Sequence, residues 1–223
     1  MDPAVVVAAE NMNPVIRAFS EGGATMYVIL TIAILTLVLI TERFMTLMNL
    51  RVEKKEFADQ IFRMIIGGDL RQAISFCDAK PTPLANTVKA GLVQTMNKRP
   101  DEEIQVAMDA AVLREKTRLE GWTAFLAVFG NIAVLAGLLG TIIGMIGSFR
   151  GVAAADPAEK AQKLSEGISH ALNCTGFGLI TAIVAIVFYG LFQHMIQKSE
   201  NEMVETSMSL LNLVAANRDK IKD

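Results

Sequence analysis

The chain has 223 residues, 52% of them hydrophobic, and a formal net charge of −2. Its mean hydropathy of +0.40 lies above that of soluble domains of similar size, and the weakly acidic balance excludes a nucleic-acid binder as the default reading. Charge is absent from three windows, roughly 24–41, 123–149 and 167–197, and dense between them. Each window is long and apolar enough to cross a bilayer as a helix, which takes about 20 residues. The fold class expected is therefore all-α and integral to the membrane, with the lipid bilayer as a partner.

Residues 1–23 precede the first span. They open Met1-Asp2-Pro3, lack a basic segment, and interrupt the apolar run 4–9 with Glu10, so they do not read as a cleaved signal peptide. Residues 11–21 fit a short interfacial helix. The first span, 24–41, ends abruptly in Thr41-Glu42-Arg43-Phe44.

The segment 42–122 is helical in pattern. Over 52–66, Phe57, Ile61 and Ile65 share one face. Gly67-Gly68-Asp69 breaks that run, and Asp69 is placed to cap a helix over about 70–78. Lys80-Pro81-Thr82-Pro83 is a turn, followed by a helix to about Met96. Arg99-Pro100-Asp101 supplies another break and cap. From Asp101 a helix carries Ile104, Met108, Val112 and Leu119 toward Trp122 and the second span. The pattern is of helical hairpins extending from the membrane, and it offers an enzyme reading no support: there is no HExxH, GxSxG, nucleotide loop or metal cluster.

The second span, 123–149, holds Gly137, Gly140, Gly144 and Gly147, spaced 3, 4 and 3 and so on one helix face. After the loop 150–166, Asp156-Pro157 has the residue types of a helix start. From there a helical pattern runs through the third span, 167–197, into the tail 198–223, ending near Ala216. About 60 residues of helix would be roughly 90 Å long. On the third span Ala171, Thr175, Gly178, Ala182 and Ala185 form a second small-residue face. Small faces let helices approach closely in lipid. By spacing alone they serve packing within one chain or a narrow lumen between chains.

Thr141, Thr175 and Thr181 place hydroxyls on these spans. A hydroxyl there can hold water or an ion, or bond back to the carbonyl four residues earlier. His170, near one end of the third span, can titrate near neutral pH or face interfacial water. Cys77 and Cys174 read as small packing residues. No Asp, Glu, Lys or Arg lies inside any span, so a chain that moved protons alone would lack the usual carboxylate. Thirteen of the 21 Lys and Arg lie between Arg43 and Arg118. The positive-inside rule then puts 42–122 and the C-terminus in the cytoplasm, with the N-terminus and the second loop outside.

Two of these stretches carry a resemblance. Gly137-Leu-Leu-Gly-Thr-Ile-Ile-Gly-Met-Ile-Gly-Ser-Phe149 resembles the GLLGTVxGM…F motif of the MotA/TolQ/ExbB proton-channel family, and Ile168-Ser-His-Ala-Leu-Asn-Cys-Thr-Gly-Phe-Gly-Leu-Ile-Thr-Ala-Ile183 resembles its IxEALxxTAxGLxxAIP motif. Thr41-Glu-Arg-Phe44 resembles the ER pair that ends its first span, and three spans around one large insertion are closer to the ExbB and TolQ type than to MotA.

The resemblance implies an inner-membrane homopentamer whose second and third helices line a lumen. It implies a single-span partner of the ExbD/TolR kind there, whose membrane aspartate carries the proton, with sodium the alternative ion and no cofactor. Ion flow would then drive work such as transport across the envelope, envelope maintenance or gliding motility. Carried over, Thr141 and Thr175 would face the partner's aspartate, with Thr181 and His170 along the ion pathway. Gly137, Gly140, Gly144, Gly147, Ala171, Gly178 and Ala182 would give the partner helix room.

The chain departs from the pattern at His170, where a glutamate is usual, at Val134 and Val184, where prolines are usual, and at Gly190, where asparagine is common. Straighter helices follow from the missing prolines, and the departures point to a specialised branch. The competing readings are a passive membrane scaffold and a small-solute transporter. Three spans without internal repeats argue against the transporter.

Overall fold

In a computed structural model, residues 23–49 and 54–217 are described; the expected interfacial helix over 11–21 lies outside them. Among the described residues there are seven helices and no strand. They are α1 (Gly23–Asn49), α2 (Lys54–Ile66), α3 (Leu70–Ala79), α4 (Pro83–Met96), α5 (Asp101–Glu120), α6 (Ala124–Ala154) and α7 (Lys160–Ala216). Three stretches are long and apolar enough to cross a membrane: Gly23–Met48, Asp101–Ala154 and Lys160–Ala216. The described residues form two compact units, one of residues up to 41 with 124–189, the other of 42–123 with 190 onward.

In the first unit, α1, α6 and α7 pack through their small and slim faces. On α1 the buried stripe is Met26, Ile29, Ile32, Thr36 and Ile40, at the spacing of one helix face. Ile32 packs on Ala133 and Ala182. The opposite faces remain apolar and exposed, with Val28, Ile34 and Leu37 on α1 and Leu135, Leu138 and Ile142 on α6. So much exposed aliphatic surface is what lipid, and not water, accommodates.

The second unit encloses a core of large buried side chains. Phe57, Ile61 and Ile65 are all buried, as their shared face requires, and so are Ile104, Met108, Val112 and Leu119. All of these except Leu119 form one cluster with Leu84, Val88 and Leu92 of α4 and Met203, Leu210 and Val214 of α7. Gly91 lets α4 close on this core, since a Cβ there would press on Met108 Cγ at 2.8 Å and Leu210 Cδ2 at 3.2 Å.

Helix starts differ from expectation in detail. Asp69 occupies the N-cap of α3 but its side chain makes no capping bond. Asp101 is the first residue of α5, with Pro100 at the N-cap. There it joins Glu102 and Glu103 in the first turn, where negative charge suits the helix dipole. A side-chain cap is formed by Thr82, which accepts from Ala85 N at 3.2 Å while Pro83 takes the first helical position. α7 begins at Lys160, and Asp156-Pro157 forms the turn before it, with Glu159 N bonded to Asp156 O.

Two charged side chains are buried in this unit. Arg43 pairs with Glu42 at 2.9 Å and donates from Nη1 to Leu119 O at 3.4 Å, a favourable place for a cation at the end of α5. Glu115 accepts from Asn86 Nδ2 at 2.8 Å, and Arg118 lies 3.9 Å from its other oxygen.

Candidate functional site

The site grows from how closely α6 and α7 approach. A Cβ on Gly178 would lie 2.7 Å from Ala133 O and 3.0 Å from Gly137 Cα, and one on Gly137 would lie 3.1 Å from Cys174 O and 3.2 Å from Thr175 Cα. The two backbones therefore touch, which only glycine at both positions permits. The contact continues along the pair. Gly144 faces Ala171, Gly140 faces Cys174, and Gly130 faces Ala182 and Ala185. The space above Gly137, Gly140, Gly144 and Gly178 is thus occupied within this chain, and Ala171 and Ala182 are buried in the same seam. Gly147 alone of the predicted glycines meets nothing within 4 Å.

This approach brings two hydroxyls together. Thr141 Oγ1 and Thr175 Oγ1 are hydrogen-bonded to each other. Thr141 Oγ1 also lies 3.1 Å from Gly137 O and 3.4 Å from Ala171 O, and Thr175 Oγ1 lies 3.3 Å from Gly137 O. Both side chains are half-buried. Thr141 stands eight residues before Phe149, and Thr175 eight residues after Gly167, so both sit about 12 Å from the same end of their charge-free runs.

Each hydroxyl has one proton to donate and two lone pairs. With one donating to the other and the second to a carbonyl, both protons are spent inside the chain. What the pair offers outward is lone pairs: it accepts from a protonated group, or binds a cation, without rearrangement. Thr181 stands apart from the pair. It donates to Phe177 O at 2.9 Å, the back-bond common in membrane helices.

His170 is half-buried, wedged between α1 and α6. A Cβ on Gly23 would fall against its Nε2, and one on Gly144 would lie 2.9 Å from its Nδ1. Gly23 has φ of +57°, a conformation glycine adopts freely. The ring also borders an open groove of about 910 Å³ that Gly147, Lys163, Glu166 and Ser169 help to line. Cys174, expected as a packing residue, does pack against Gly140. Its Sγ also lies 3.3 Å from Thr25 Oγ1 and 4.0 Å from His170 Nδ1. Thr25 was not expected at the site; the His170–Cys174 interval of four, one helix turn, is the signal that was available.

The chain matches the family model described as the MotA/TolQ/ExbB proton channel family over residues 79–205. It is 40% identical over 91 residues to a Tol-Pal system protein TolQ of Pseudomonas aeruginosa, covering 41% of this chain and 39% of that protein. It is 28% identical over 174 residues to a biopolymer transport protein ExbB of Pseudomonas putida, covering 74% of this chain and 52% of that one. A biopolymer transport protein ExbB of Salmonella typhimurium is 29% identical over 170 residues, 67% of this chain and 69% of its own length. The chain thus spans about two-fifths and half the length of the first two. The matched region takes in α4, α5, α6 and most of α7, including both threonines of the hydroxyl pair, and the chain belongs to the MotA/TolQ/ExbB proton channel family.

Proposed function

We propose that this chain is the ring subunit of an ion-motive-force-driven envelope motor, working with a single-span partner whose membrane carboxylate carries the ion. The observation that carries the reading is the Thr141–Thr175 pair, held by touching backbones in two spans that contain no carboxylate of their own. An acceptor pair suits a partner carboxyl in its protonated form, because the neutral acid is the donor the pair lacks. Deprotonation removes that bond and adds a charge that low-dielectric surroundings disfavour. The pair therefore favours the proton-loaded partner and releases it once the proton leaves. Protons are the ion this chemistry fits best, with sodium as the alternative that the same lone pairs could hold.

In this reading five copies form the ring, 42–122 and the tail are cytoplasmic, and the N-terminus and second loop face the periplasm, following the distribution of Lys and Arg. Gly147, with nothing above it, is the glycine best placed to receive the partner helix. The other glycines first serve the seam between α6 and α7, an observation that favours the passive-scaffold reading for them. Thr141→Val and Thr175→Val separate the two readings. With assembly monitored, the motor reading expects ring formation to persist and ion-dependent work to fall steeply. Full activity in both assembled variants would leave the hydroxyl pair as packing and the scaffold reading standing.

A further inference from the structure

Cations near the start of the second span differ in what they hold. Arg43 is spent inside the chain on Leu119 O and Glu42, and Lys116 on the Glu200 carboxylate at 2.9 Å. Arg114 and Arg118 are exposed instead. One turn to either side of Arg114 stand Ala110, Ala111, Thr117 and Arg118, so its own helix offers it no acid. Arg118 has only Glu115 within a turn, at 3.9 Å, and its side chain is 77% exposed. The other oxygen of Glu115 is taken by Asn86. Two like charges four residues apart destabilise a helix, and an anion held between them reverses that cost. We infer that Arg114, Arg118 and Trp122 form a docking site for the phosphate headgroup of an anionic phospholipid.

The three residues form a row. Gly121 keeps a right-handed helical conformation, φ −38° and ψ −62°, and its N–H bonds to Thr117 O. Trp122 therefore continues the face of Arg114 and Arg118, each one turn from the next. Trp122 is 59% exposed and stands at the head of the run without charge from Gly121 to Phe149. An exposed tryptophan at the end of a span settles at headgroup level. Arg118 then lies about 6 Å and Arg114 about 12 Å farther out along the axis, among the phosphates and at their watery edge. A guanidinium stays charged and grips two phosphate oxygens at once. A zwitterionic headgroup offers the same phosphate but adds an ammonium that two arginines repel, so the anionic lipid is the one selected. Its acyl chain would lie along Trp122. The inference rests on the span and not on the motor reading.

Trp122 is the one tryptophan of the chain, so its fluorescence reports on this place alone. The test reconstitutes the full-length chain in phosphatidylcholine vesicles that carry a minority of brominated lipid, either phosphatidylglycerol or phosphatidylcholine, and compares how strongly each quenches Trp122. Phosphatidylglycerol is expected to be preferred, by roughly fivefold for each arginine. The Arg114→Gln, Arg118→Gln double variant should quench equally with both lipids. Lys198→Gln, which removes an exposed charge at the end of the third charge-free run, should keep the preference, as should millimolar inorganic phosphate. The thermal midpoint of the double variant in zwitterionic detergent should match or exceed that of the wild type, because a like-charge pair is gone. No preference in the wild type would leave the arginines to an acidic protein segment or to solvent and overturn the site. A preference kept in the double variant, one lost equally in Lys198→Gln, one erased by inorganic phosphate, or a lowered midpoint in the double variant would each overturn it as well.

Discussion

Replacing Gly178 by alanine drives a methyl group into backbone. The new Cβ would sit 2.7 Å from Ala133 O, 3.0 Å from Gly137 Cα and 3.3 Å from Gly137 N. Comfortable contacts begin near about 3.5 Å, so the helices must part by roughly half an ångström or more. No rotamer can relieve the clash, because every atom met is main chain. Overpacking of this kind costs about 1–3 kcal/mol. Gly176→Ala is the matched control: it lies on the same helix, and nothing stands within 4 Å of its Cβ position. Both substitutions gain the same helix propensity, about 1 kcal/mol, so their difference isolates the clash. Thermal unfolding of the two purified variants should differ by roughly 2–12 °C, with Gly178→Ala the lower. The parted helices would also pull the Thr141 and Thr175 hydroxyls apart, so ion-dependent activity should fall in the same variant. Midpoints agreeing within about 1 °C, with activity retained, would refute the claim that touching backbones hold the pair.

Other consequences are local. Burial first, and the Asp78 carboxylate second, push the Cys77 thiol up to about 11 from its usual 9.0. Because the folded state holds that proton more tightly, its contribution to stability is present below about 9 and declines as pH rises toward 11. Maleimide at neutral pH should therefore leave Cys77 unmodified until the chain unfolds; rapid labelling of the native Cys174→Ser protein would contradict this. The hydrogen bond from Lys116 to the Glu200 carboxylate, 2.9 Å long, raises Lys116 above its usual 10.5. Its contribution is present below the unfolded value and lost as pH rises through the folded one, so Lys116→Met should flatten the alkaline limb of the stability profile. An unchanged limb would show that the pair does not couple to folding. His170→Gln should lower ion-driven activity, and undiminished activity in the assembled variant would remove His170 from the ion pathway.

What could be read from the sequence was what repeats locally. Phe57, Ile61 and Ile65 declare a buried face by spacing, and the three charge-free windows declare spans by length. Capping was legible in residue type but not in register. Asp69 and Asp101 stand at helix starts, yet the working cap is Thr82, because a one-residue shift decides whether an oxygen meets an N–H. The small faces of α6 and α7 were legible as faces. Which helix lies against each glycine is a tertiary fact, and here Gly137, Gly140, Gly144 and Gly178 face the same chain. Thr25 meeting Cys174 depends on how α1 lies along α7, and no periodicity carries that. Arg43 and Glu115 were hidden for a related reason: charged residue types predict exposure, and only their partners Leu119 O and Asn86 explain their burial.

In the proposed motor this chain conducts ions only with a partner that supplies the carboxylate. Proton flux into liposomes, with and without a co-reconstituted single-span protein bearing a membrane aspartate, tests it most directly. Flux is expected only with the partner present, and abolished when the Thr141→Val, Thr175→Val double variant replaces the wild-type chain in an intact complex. Flux through this chain alone, or undiminished flux through the double variant with its partner, would contradict it.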